Sequence, residues 1–191
     1  TLIVGDASSD EPVVLTSWKD DAVGGDPSTS SGQDTNGDGT ATTPQAGDWR
    51  TIVFYPGSKA TIHNTTIRYG GLHRYSVFWG TYFDAPMVSN EGGNLSFTNS
   101  RITDSAYEAI KQTAGTTTIL RSELARSAFG LSLVQEGGTG GSTSSPQAGT
   151  ATIRNSSIHD NFYYGISTNT TTPVTAIGNW WGSASGPTHE S

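Results

Sequence analysis

Ala151-Thr152-Ile153-Arg154-Asn155-Ser156-Ser157-Ile158 is the stretch whose reading decides the fold. It alternates small or apolar residues with polar ones, as a half-buried strand does, then breaks at an asparagine and resumes with an apolar residue. The same frame (apolar, any, Asn, two residues, apolar) returns along the chain. Upstream it stands as Ala60-Thr61-Ile62-His63-Asn64-Thr65-Thr66-Ile67, as Leu95-Ser96-Phe97-Thr98-Asn99-Ser100-Arg101-Ile102 and as Thr117-Thr118-Ile119-Leu120-Arg121-Ser122-Glu123-Leu124. Downstream an abbreviated copy follows, Thr175-Ala176-Ile177-Gly178-Asn179-Trp180-Trp181. Taking Ile62, Phe97, Ile119, Ile153 and Ile177 as the first apolar positions, subtraction gives intervals of 35, 22, 34 and 24 residues. The two short intervals are one turn of a repeat, and the two long ones are a turn carrying an insertion.

One inward apolar side chain per strand cannot hold an isolated hairpin together in water. Stacking the repeats solves this, because each strand then pairs with its equivalent one turn along, about 4.8 Å away, and like side chains pile into a continuous core. A further apolar strand follows in three turns, at Ala109-Ile110, Gly130-Leu131 and Gly165-Ile166, which predicts three short strands per turn. Asn64, Asn99, Asn155 and Asn179, with Arg121 as the exception, fall two residues after the first apolar position. Asn enters the left-handed backbone region more readily than most residues, so this column is expected to form a corner.

With these repeats, and with Ile177-Gly178-Asn179-Trp180-Trp181-Gly182-Ser183-Ala184-Ser185-Gly186-Pro187 at its end, the chain resembles the right-handed parallel β-helix proteins of pectin lyase-like fold over roughly residues 50–187. The resemblance implies an all-β solenoid of about six turns, and a family that contains polysaccharide lyases, epimerases and surface or adhesin-type domains. Residues 1–191 are then expected to be a single β-helix domain, cut from a longer protein.

Three stretches interrupt the repeats as expected loops, at about 22–47, 72–86 and 136–149. The first and third both close with Pro-Gln-Ala-Gly, and the third is a Gly/Ser/Thr tract that reads as a flexible excursion. Trp180 and Trp181 are expected to cover the C-terminal end of the stack.

Composition narrows the function. The net charge is −7 and the only lysines are Lys19, Lys59 and Lys111, which argues against nucleic acid as a partner. No apolar run approaches the roughly 20 residues of a membrane span, so membrane insertion is not expected. Few charged residues, many Gly, Ser and Thr, and no Cys fit a secreted or cell-surface protein of a prokaryote.

Asp34-Thr35-Asn36-Gly37-Asp38-Gly39 is the local motif with chemistry in it. Oxygen-bearing side chains alternate with small residues as in the first half of an EF-hand loop, so that Asp34, Asn36 and Asp38 can converge on calcium. The bidentate Glu of such a loop is Gln45 here, and Asp21, Asp48, Asp20 or Asp26 is expected to supply the missing carboxylate. The second insertion is dense in aromatics: Tyr75, Trp79 and Tyr82 offer flat faces to sugar rings, with His73, Arg74 and Asp84 as polar partners for a polysaccharide or glycan. Asp104, Arg126 and Asp160 each lie two residues beyond the second apolar position and should form one charged column, a surface ion ladder. In an enzyme of the lyase or epimerase type, the same three would be the catalytic candidates. The four histidines show no zinc spacing. The expected function is a non-catalytic, calcium-stabilised extracellular module for carbohydrate binding, adhesion or spacing.

Overall fold

The computed structural model describes residues 1–5, 8, 11–24, 34–135 and 149–187, and among them it is all-β with no helix. No helix is therefore long and apolar enough to cross a membrane. Nine strands form one parallel sheet: β1 (Leu2–Val4), β3 (Ile52–Phe54), β4 (Lys59–His63), β8 (Val88–Thr98), β10 (Glu108–Leu120), β12 (Phe129–Leu133), β13 (Thr150–Arg154), β15 (Tyr164–Thr168) and β16 (Val174–Ile177). Five more form a second parallel sheet: β2 (Val13–Leu15), β5 (Thr65–Arg68), β9 (Arg101–Thr103), β11 (Glu123–Ala125) and β14 (Ser157–His159). The remaining two, β6 (Leu72–Ser76) and β7 (Thr81–Ala85), pair antiparallel.

The repeats of the sequence lie on one another in register. Ile62 pairs with Phe97, Phe97 with Ile119 and Ile119 with Ile153, and all four are buried. A second buried column runs through Ile67, Ile102, Leu124 and Ile158 in the smaller sheet. The strand anticipated at Ile110, Leu131 and Ile166 is present and extends backwards to Val88 and Ile52. In-register stacking places the side chains of these buried columns against their own kind, which is how one buried residue per strand adds up to a core.

The asparagine corner is also present, with φ of 45° at Asn64, 50° at Asn99, 47° at Arg121 and 50° at Asn155. The residue after each corner is small, polar and buried. Thr65 N–H donates to Ser100 Oγ, Ser100 N–H to Ser122 Oγ, Ser122 N–H to Ser156 Oγ and Ser156 N–H to Asn179 Oδ1. This ladder satisfies backbone groups that turn away from the sheets at the corner.

The last repeat is offset by one residue from the expected frame. Ile153 pairs with Ala176, not with Ile177, and Arg154 pairs with Ile177, whose side chain is exposed. Gly178 takes the left-handed corner at φ 69°, and Asn179 occupies the serine position of the ladder. An asparagine amide reaches the N–H of Ser156 as a serine hydroxyl does in earlier repeats, and this fixes the shift by one residue.

The second insertion, expected as a loop, is the β6–β7 hairpin. Of the first insertion, residues 22–24 and 34–47 are described; the third lies outside the described residues except for Gly149, and so does His189. At the C-terminal end Trp181 packs against the core, whereas Trp180 bridges to Ser157 and leaves its ring half-exposed.

Candidate functional site

Hairpin pairing decides which side chains share a face. His73 stands opposite Asp84 and Tyr75 opposite Tyr82, so these four are on one side, while Arg74 and Phe83 are on the other. Trp79 lies in the connecting turn, edge-on to Phe78 at 5.1 Å, and both rings are largely exposed. Of the six residues expected at a glycan site, the structure brings together His73, Tyr75, Tyr82 and Asp84.

His73 is held in a ring stack. Its ring is sandwiched between Tyr82, at 4.7 Å and 6°, and Tyr107, at 5.3 Å and 3°. Asp84 Oδ1 meets its Nδ1 at 2.7 Å and fixes its orientation. Tyr107 belongs to the next repeat, so this stack holds the hairpin against the wall of the parallel sheets.

From Tyr107 the aromatic contacts continue. Phe129 lies 5.5 Å away, Tyr163 and Tyr164 lie 5.2 Å and 6.0 Å from Phe129, and Phe162 lies 4.7 Å from Tyr163. These rings were not anticipated, although a signal for them exists. Tyr107, Phe129 and Tyr163 each stand five residues beyond the second apolar position of their repeats (102+5, 124+5, 158+5). Beneath the track Glu108 is buried, and burial pushes its carboxyl above the ordinary value, with the nearby Asp84 charge acting in the same direction.

The acidic loop gathers a second group. One carboxylate oxygen from each of Asp21, Asp34 and Asp38 lies within 4.8 Å of the others. Asp34 accepts the N–H groups of Gly37, Asp38 and Gly39, and Asp21 accepts that of Thr35. Hydrogen bonding from the Thr42 hydroxyl holds the Asp38 carboxyl below its ordinary value. Asn36 does not point its oxygen into this group, because Oδ1 accepts Asp38 N–H while Nδ2 donates to Asp38 and Thr42. Asp48 is drawn elsewhere, accepting from Lys19 Nζ at 2.7 Å and from Ser17. Asp20 is buried against Arg68, and Asp26 lies outside the described residues. Oxygen donors of this kind suit a hard divalent cation.

The charged column forms in part. Arg126 grips Asp104 with two hydrogen bonds of 2.8 Å, and all three column positions are left-handed, at φ 58°, 51° and 53° for Asp104, Arg126 and Asp160. Partial burial pushes the Asp104 carboxyl up, but the hydrogen bonds from Arg126 and Thr103 outweigh it and hold it below its ordinary value. Asp160 turns instead to His159 Nδ1, and His159 Nε2 approaches Glu123, which also binds Arg101. The ladder is thus a branched surface network centred on Glu123.

Comparison with known protein families, with curated proteins and with solved structures gives no match.

Proposed function

We propose that the chain is a right-handed parallel β-helix with three strands per turn, related in fold to the pectin lyase-like proteins, and that it serves as a non-catalytic module of a secreted or cell-surface prokaryotic protein that binds carbohydrate. The observation that carries the reading is the aromatic hairpin. Exposing Phe78, Trp79, Tyr75 and Tyr82 together costs solubility without helping the core, which is complete beneath them. Flat exposed rings flanked by hydroxyl and carboxylate groups suit the apolar faces and hydroxyl rims of sugars.

Calcium fits the same reading as a structural ion. Asp21, Asp34 and Asp38 would hold it, and the ion would offset most of the charge of three carboxylates, one just before the first insertion and two within it. Asn36 and Asp48, expected among the ligands, are committed to other partners.

A lyase or epimerase would need an unencumbered base or cation, whereas Arg126 is tied to Asp104 and lies 3.7 Å from Glu123. Affinity electrophoresis in gels containing soluble polysaccharides tests the binding reading. Retardation by at least one glycan, relieved in Tyr82→Ala and Trp79→Ala, is the expected result; migration unaffected by every polysaccharide refutes it.

A further inference from the structure

We infer that the binding surface runs beyond the hairpin as a track parallel to the stacking direction, and that it takes an extended, uncharged polysaccharide. This rests on the carbohydrate reading and assigns its substrate class. Tyr82 and His73 come from the hairpin, Tyr107 from the next repeat, Phe129 from the one after and Tyr163 from the one beyond that. Successive strands are about 4.8 Å apart, so three steps extend the surface by about 14 Å past the hairpin, the scale of a short oligosaccharide and not of a single sugar.

Nothing in the core requires this arrangement. The apolar column of the same strands is Ile110 and Leu131, both buried, and Ile166, half-buried, whereas Tyr107 and Phe129 are half-buried and Phe162, Tyr163 and Tyr164 at least half-exposed. The hairpin insertion adds further rings at the end of the row, where it lies flat against Tyr107.

Charge selects the occupant. The acidic groups along the row are Asp84, Glu108 next to Tyr107 and Asp160; the basic groups facing them are the imidazoles of His73, on Asp84, and His159, on Asp160, together with Lys111 near Glu108. Arg74 is on the opposite face of the hairpin. A uronate polymer would meet like charge here on a chain that already carries −7. An uncharged polymer with flat pyranose faces meets rings without that penalty.

Calorimetric titration of the intact chain with cello-, manno- and N-acetylchito-oligosaccharides of increasing length, and with oligogalacturonates, tests the inference. Affinity for an uncharged series should rise with chain length, and Tyr163→Ala should weaken the longest member by about two- to tenfold while leaving the disaccharide unchanged. Length-independent affinity, an unaltered Tyr163→Ala, or tighter binding of oligogalacturonate overturns the track while leaving the hairpin reading intact, provided Tyr82→Ala still abolishes binding. Loss of binding to every series in the wild-type chain removes both.

Discussion

Ser122→Ala removes one atom from the middle of the buried ladder. Ser122 Oγ accepts the Ser100 N–H at 3.1 Å and donates to the Leu120 carbonyl at 2.9 Å. The carbonyl keeps a second partner, the Asn99 N–H, and Ser122 N–H still reaches Ser156. The Ser100 amide, in a residue that is almost fully buried, is left without an acceptor. An orphaned buried N–H costs about 1 to 3 kcal/mol, which in a chain of this size lowers Tm by about 2 to 12 °C. Thermal and urea unfolding followed by circular dichroism measure this against Ser96→Ala, whose hydroxyl lies on the outer face of β8 and whose loss should stay within about 0.5 kcal/mol. Native-state hydrogen exchange should show the Ser100 amide losing protection in Ser122→Ala. Equal stability of the two variants would refute the role assigned to the ladder.

Glu108→Gln should stabilise the fold at neutral pH. Burial raises the folded carboxyl above its ordinary 4.5, so the stability it contributes is present below that value and lost as pH rises through the raised one. The gain in Tm for the glutamine variant at pH 7 should therefore vanish at and below about pH 4; a gain that persists in acid would point to packing instead of ionisation. Calcium at a hundredfold excess over Kd should stabilise the fold by about 2.7 kcal/mol, read as a rise in Tm that a chelator reverses. Asp34→Asn and Asp38→Asn should remove this response, while Asp48→Asn should lower stability without altering it; a calcium response that survives loss of Asp34 and Asp38 would displace the site.

Much of the frame was legible because its cause is periodic. Ile62, Phe97, Ile119 and Ile153 declare themselves by spacing, and the asparagines mark a backbone conformation that few other residues adopt cheaply. The last repeat misled because Ile177 and Asn179 both match the frame one residue late. There the glycine serves as the corner and the asparagine replaces a serine, an exchange visible only once the Ser156 N–H has an acceptor. The serine ladder itself was hidden in a chain where Ser and Thr are everywhere. In the hairpin, aromatics occupy both faces, so no alternation separated a strand from a loop. Asp48 looked as available as Asp21 in sequence; its partner Lys19 is 29 positions away, a distance that only the fold closes. The aromatic track was spread over separate repeats, and its offset of five is not the strand register, which sets Phe129 beside Glu108 and Tyr164.

The proposed carbohydrate track places sugar rings against the row from Tyr82 to Tyr163. Saturation-transfer difference NMR with the longest binding oligosaccharide observes that contact directly. Irradiating the protein's aromatic protons should transfer saturation to the C–H protons of several consecutive sugar residues, with the far residues losing intensity in Tyr163→Ala. Transfer confined to one terminal sugar, or unchanged by both Tyr82→Ala and Tyr163→Ala, would contradict it.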